Sequence, residues 1–144
     1  MPDIAATARV ITVVTHEGGL RLVADVRGHH VPTDQPIRAG GADSAPMPLD
    51  LIGAALATCV GLAVVQFCAA RELPTDGLQV ELSQRTARDP YRVDRYDVSV
   101  RLPTDFPERY RETIGRVART CAAFNTLTHP PAIEINVRDW DGVS

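Results

Sequence analysis

A chain of 144 residues, 44% of them hydrophobic and 23% charged, has room for one domain with a real core. The formal net charge is −3 and no basic patch accumulates, which argues against nucleic acid or an anionic membrane surface as a partner. All 15 basic residues are Arg, which excludes lysine Schiff-base chemistry and a Walker-type phosphate loop.

The amino terminus, Met1-Pro-Asp-Ile-Ala-Ala-Thr-Ala-Arg9, lacks the apolar core of a signal peptide, so a cytoplasmic location is expected. Arg9 to His16 is rich in Val, Ile and Thr and reads as a strand, and Glu17-Gly18-Gly19 as a turn. From Leu20 to Arg27, Leu20, Leu22, Ala24 and Val26 alternate with Arg21, Val23, Asp25 and Arg27, completing a hairpin. Gly28 breaks it, and His29 to Thr33 reads as a short third strand. Asp34 to Met47, interrupted by Pro and by Gly40-Gly41, is a loop long enough to line a site.

Leu51 to Ala70 carries no charge and consists mainly of Ala, Leu and Val. Pro48 and Asp50 suit the first turn of a helix, and Pro74 closes the other end. The expectation is one long helix, apolar and hence buried on nearly every face. The run could also span a bilayer. Its richness in Ala and Gly, together with Thr58, Gln66 and the soluble character of both flanks, favours a core helix and no membrane. The small residues Gly53, Ala54, Ala57, Thr58 and Gly61 allow another helix, from the same core or from a second subunit, to approach closely.

Two more strands follow. Leu78, Val80 and Leu82 alternate with polar residues. After a polar loop containing Pro90, Tyr96, Val98, Val100 and Leu102 give the cleanest period-two pattern of the chain. Thr104-Asp105-Phe106-Pro107-Glu108 starts a helix. Phe106, Tyr110, Ile114, Val117, Cys121 and Phe124 then recur at threes and fours, predicting one continuous amphipathic helix with Cys121 facing inward. Ile133, Ile135 and Val137 predict a final strand ahead of a polar tail containing Trp140. Residues 1–144 therefore read as a single α+β domain, an antiparallel sheet packed on two long helices.

Three cysteines in a reducing compartment are not a structural framework; they matter, if at all, as thiols. A mid-helix thiol is by base rate core filler, and Cys68, which lies about 180° around the helix from Cys59, reads that way. Cys59 and Cys121 differ, because they point inward from the only two long helices. If those faces meet, the thiols come within disulfide range, Cα atoms about 5.5–6 Å apart when bonded. A reactive Cys59 must be held as thiolate. A helix dipole does little at mid-helix, and burial raises a thiol's pKa. A cation is therefore required, with Arg21 and Arg27 the best placed. His16, His29, His30 and His129 are scattered with no metal-ligand spacing, no nucleophile elbow is present, and Asp50 reads as a first-turn acid. No cofactor is implied.

Taken in order, these segments resemble the OsmC/Ohr family of thiol peroxidases, and the likeness lies with its OsmC-like branch. Arg27-Gly28-His29-His30-Val31-Pro32-Thr33-Asp34-Gln35-Pro36 is similar to the family's Arg-Gly-His…Asp-Glu-Pro approach. Gly40-Gly41-Ala42-Asp43-Ser44-Ala45-Pro46-Met47-Pro48-Leu49-Asp50-Leu51 is similar to its Gly-Pro-x-Pro-x-Glu-Leu-Leu segment. Ala54-Ala55-Leu56-Ala57-Thr58-Cys59 and Cys121-Ala122-Ala123-Phe124-Asn125-Thr126-Leu127 are similar to its two cysteine motifs. Asp50 stands where one branch has Glu and Leu49 where another has it; Ala122-Ala123-Phe124 replace Pro-Val-His. The resemblance implies an intertwined homodimer with sites at the subunit interface. It also implies an enzyme that reduces organic hydroperoxides, with Cys59 peroxidatic and Cys121 resolving, Arg27 and Asp50 in supporting roles, and a dithiol or lipoyl-type reductant. The competing reading is a catalytically silent dimer of the same fold that binds a small apolar ligand.

Overall fold

The computed structural model describes residues 9–139; the amino-terminal segment and Trp140 lie outside them. The chain forms two compact units that interleave in sequence, residues up to 55 with Leu82–Asp97, and Leu56–Glu81 with residues 98 onward.

The first unit opens with a three-stranded antiparallel meander in the order β1 (Thr12–His16), β2 (Leu22–Val26), β3 (His29–Thr33). The register runs from Thr12↔Val26 to His16↔Leu22 and from Leu22↔Thr33 to Val26↔His29. Only Arg27 and Gly28 separate β2 from β3, and both have positive φ, 53° and 84°. A two-residue hairpin matched to strand twist demands this of both central residues, and the Asp25 carboxylate accepts the Gly28 N–H at 2.9 Å. Val13 and Val14, on opposite faces of β1, are both exposed, as are Leu20 and Leu22. Burial within the chain therefore does not account for the apolar pattern of this sheet.

Residues 34–47 are a loop with a single short 3-10 turn, Ile37–Ala39. The loop leads into α1 (Pro48–Ala69), whose start follows from its sequence. Pro48 takes the first helical position, and Asp50 reaches back to accept the Met47 N–H at 3.2 Å, as the acid of a capping box does. Gly53 then lies so close to Leu82, Gln84 and Tyr96 that a Cβ would come within 2.9 Å of the Gln84 side chain.

In the second unit the core is Val64, Cys68, Phe106 and Ile114, flanked by Phe67, Leu73, Leu78, Val100, Leu102 and Tyr110. Leu56, Val60, Val64 and Cys68, one turn apart along α1, are all buried. The helix is not buried on nearly every face, as its composition suggested. Leu62 and Val65 stay exposed on the side away from this stripe, and Ile52, one turn before Leu56, is exposed as well. Strands β4 (Gln79–Ala87) and β5 (Arg92–Arg101) form a two-stranded sheet.

The predicted second long helix is instead three pieces: a 3-10 turn over Glu108–Tyr110, α2 (Arg111–Ala118) and α3 (Ala122–Thr128). The chain leaves helical geometry at Cys121, whose φ of −69° and ψ of 148° are extended, and the Thr120 hydroxyl closes α2 by donating to the Val117 carbonyl at 2.7 Å. The fold is thus α+β with one long helix and two short ones. Ile133, Ile135 and Val137 do not form the expected strand; they lie outside any strand and are exposed.

Candidate functional site

Cys59 sits midway along α1, three residues beyond Leu56 and one before Val60, and so lies at the border of the buried stripe, half-exposed. Cys121 is 3% exposed and occupies the cap position of α3, where its Sγ accepts the Phe124 N–H at 3.3 Å. The preceding amide, that of Ala123, donates to the Cys59 Sγ at 3.4 Å. The chain thus brings together two free thiols 62 positions apart and gives them two consecutive main-chain donors. Burial pushes the Cys121 thiol up; the Phe124 N–H pulls it down, and a hydrogen bond with Cys59 together with that sulfur's charge pushes it up again. A protonated Cys121 facing Cys59 follows, since two thiolates side by side repel.

The turn that meets the Cys59 sulfur is the opening turn of α3, and not part of one continuous helix. Continuous periodicity from Phe106 to Phe124 hid this turn. Cys is not among the preferred capping residues. Proline after the cysteine would have marked a helix start, and Ala122 carries no such mark.

The other nominated residues lie in the first unit. Arg27 is exposed at the β2–β3 turn. Asp50 is engaged at the start of α1, accepting from Met47 and, at 3.4 Å, from the Gln84 amide. Arg21 donates from Nε to Glu17 Oε1 at 3.1 Å and from Nη1 to the Ser44 hydroxyl at 2.9 Å. Behind Ser44 lies a buried carboxylate for which the sequence held no signal beyond its place in Asp34-Gln35-Pro36. Asp34 is 2% exposed and accepts from Ser44 Oγ at 2.6 Å, Ser44 N at 3.1 Å and Gln35 N at 2.7 Å. These donors, the Ser44 hydroxyl first, bring its pKa from the ordinary 3.8 to about 2. Gly41 is required beside it, because a Cβ there would run into the Gln35 carbonyl and the Asp34 carboxylate. Cys68 lies in the core of the second unit, where burial pushes its thiol up. Among the described residues no group of three or more His, Cys, Asp or Glu could hold a metal ion.

Residues 41–136 match the family model described as OsmC-like protein. Among curated proteins, none matches this chain. The fold is that of several crystal structures. A Psychrobacter arcticus protein, provisionally named an osmotic stress induced and detoxification response protein, superimposes with a TM-score of 0.75 at 23% identity over 83% of this chain and 89% of that one. An OsmC-like protein of Mycoplasma pneumoniae gives 0.70 at 16% identity, with coverage of 86% and 90%. An organic hydroperoxide resistance protein OsmC of Legionella pneumophila gives 0.60 at 18%, with coverage of 85% and 91%.

Proposed function

This chain belongs to the OsmC-like protein family, and from that premise we propose that it is a thiol-dependent peroxidase of organic hydroperoxides. The observation that carries the reading is the pair of free thiols held by the adjacent amides of Ala123 and Phe124. Cys59, the more exposed of the two, is the peroxidatic residue. Its thiolate attacks the distal peroxide oxygen and the O–O bond breaks. The alkoxide takes up a proton and leaves as an alcohol, and the sulfur becomes a sulfenic acid. Cys121 then attacks that sulfur; an S–S bond forms, the S–O bond breaks and water departs. A dithiol or lipoyl-type carrier reopens the disulfide, returning two electrons and two protons. The apolar surroundings of Cys59 along α1 favour alkyl peroxides over hydrogen peroxide.

The protein works as a homodimer in the cytoplasm. Three uncovered apolar features support the dimer: the exposed Ile52, Leu62 and Val65 of α1, both faces of β1, and the alternating Ile133, Ile135 and Val137. By length and composition α1 could also cross a membrane; a second copy covering its outer side accounts for the same residues without one. Asp50 supports the site by fixing the start of α1. Arg27, at the β2–β3 turn, is the second supporting residue of the reading, on the strength of its Arg27-Gly28-His29 context.

Peroxide consumption coupled to dithiothreitol or dihydrolipoamide tests the reading. Cys59→Ser is expected to lower turnover more than about a hundredfold; turnover equal to the unmodified protein would remove the claim. If neither protein consumes peroxide and no thiol is lost, the silent apolar-ligand dimer takes its place.

A further inference from the structure

We propose that α3 is a redox-sensitive latch: the two thiols hold its first turn closed, and a Cys59–Cys121 disulfide releases it. The inference rests on the thiol pair of the reading above and adds to it a change of shape that accompanies oxidation.

The first turn of α3 is fastened to the same two atoms that oxidation would join. Cys121 is the capping residue of the helix, and its sulfur accepts the Phe124 N–H at 3.3 Å. The neighbouring Ala123 N–H reaches the Cys59 sulfur at 3.4 Å and acts on the Cys121 sulfur too. The sulfurs also hydrogen-bond to each other.

The two sides of this contact are unequally firm. Cys59 stands on the 22-residue α1, next to the buried Val60, and the same helix buries Leu56, Val64 and Cys68. By contrast, α3 has seven residues, none of them fully buried. Within it the Thr126 hydroxyl donates to the Ala122 carbonyl and the Thr128 hydroxyl to the Phe124 carbonyl, each at 2.8 Å. Hydroxyls bonded back in this way slightly destabilise a helix. A helix so short depends on its cap.

Oxidation therefore acts on α3. The two thiols give up two protons and two electrons, and an organic hydroperoxide takes them up as its O–O bond breaks, leaving an alcohol and water. The new S–S bond is much shorter than a hydrogen bond between sulfurs, so one sulfur must swing towards the other. Cys59 cannot follow without disturbing the core side of α1. Cys121 moves instead, and its sulfur leaves the Phe124 N–H. The consequence is access. Cys121 is 3% exposed while the thiols are free, and loosening the turn that holds it opens its sulfur to the dithiol reductant.

Hydrogen–deuterium exchange of the full chain, read by mass spectrometry, tests the latch. The protein is compared after reduction with a phosphine and after oxidation with diamide, which joins two thiols without peroxide. Amides of Ala122–Thr128 are expected to exchange about fivefold faster in the oxidised form, while the strands Gln79–Ala87 and Arg92–Arg101 stay unchanged. In Cys121→Ser, which keeps a capping side chain but cannot form the bond, diamide should leave α3 as it was. Equal exchange in the two forms, the same acceleration in Cys121→Ser, or a diamide-treated chain without the Cys59–Cys121 link would each overturn the proposal. The comparison on the unmodified sequence stands even if the variant misfolds. A protein that consumes peroxide with α3 unchanged keeps the peroxidase and loses the latch; one that consumes none but loosens α3 does the reverse.

Discussion

Two buried titratable groups of this protein, Asp34 and Cys121, have opposite fates, and the difference lies in whether hydrogen bonds or burial prevails. The Asp34 carboxylate receives the Ser44 hydroxyl and two main-chain N–H groups, and its pKa falls to about 2. It is a fixed anion at every physiological pH and ties residues 34–47 into one conformation. At the Cys121 sulfur the main-chain N–H groups of Phe124 and Ala123 pull the pKa down, and burial outweighs them. Saturating a group with hydrogen bonds makes it structure. Burying it beside a second thiol, with donors too weak to offset the burial, leaves it chemistry.

The sharpest way to break this comparison is on the sulfur side. Serine is a better capping residue than cysteine, so Cys121→Ser should preserve α3 and the thermal stability of the protein. The same change should abolish the peroxide-induced Cys59–Cys121 linkage and leave a sulfenic acid that dimedone traps. Intact mass after peroxide treatment reads both outcomes. A variant that loses stability along with the linkage would mean that Cys121 is a structural group like Asp34.

The carboxylate side gives the next effect. A carboxyl whose folded pKa lies below its unfolded value stabilises the fold above the unfolded pKa. That contribution is lost as pH falls through the folded pKa. For Asp34 the window runs from about 4 down to about 2. Asp34→Asn should melt roughly 5 °C lower at neutral pH, and the two melting curves should converge as pH falls through that window. Parallel curves from pH 7 to pH 2 would show that Asp34 is not the anchor of this loop.

Much of the scaffold was legible in the residues, and the gaps have physical causes. The short strand His29–Thr33 and the long helix starting at Pro48 stand where turn chemistry and proline placed them. The inward placement of Cys121 was legible too, but not its position at a helix start, because thiols carry little capping preference. Periodicity also says which residues want cover without saying whose surface provides it. Ile52, Leu62 and Val65 read as core although their own chain leaves them exposed. Ile133, Ile135 and Val137 have the alternation of a strand but lie outside any strand of their own chain, exposed. The Asp34 network was invisible because its donors, Ser44 and Gln35, come from a loop with no period at all.

The smallest expected effect separates the two arginines from the two thiols. Arg27 holds φ at 53°, a region that costs an L-residue with a side chain roughly 1 kcal/mol and costs glycine almost nothing. Arg27→Gly should therefore raise stability, though only by about 0.5 kcal/mol, since glycine also widens the unfolded ensemble. If Arg27 supports the peroxide chemistry, the same variant should lose about tenfold in turnover, near 1.4 kcal/mol of barrier. Arg21, tied to Glu17 and to the Ser44 hydroxyl beside the Asp34 carboxylate, is the counterpart. Turnover in Arg27→Gly equal to that of the unmodified protein, with the gain in stability present, would leave Arg27 a turn residue and nothing more.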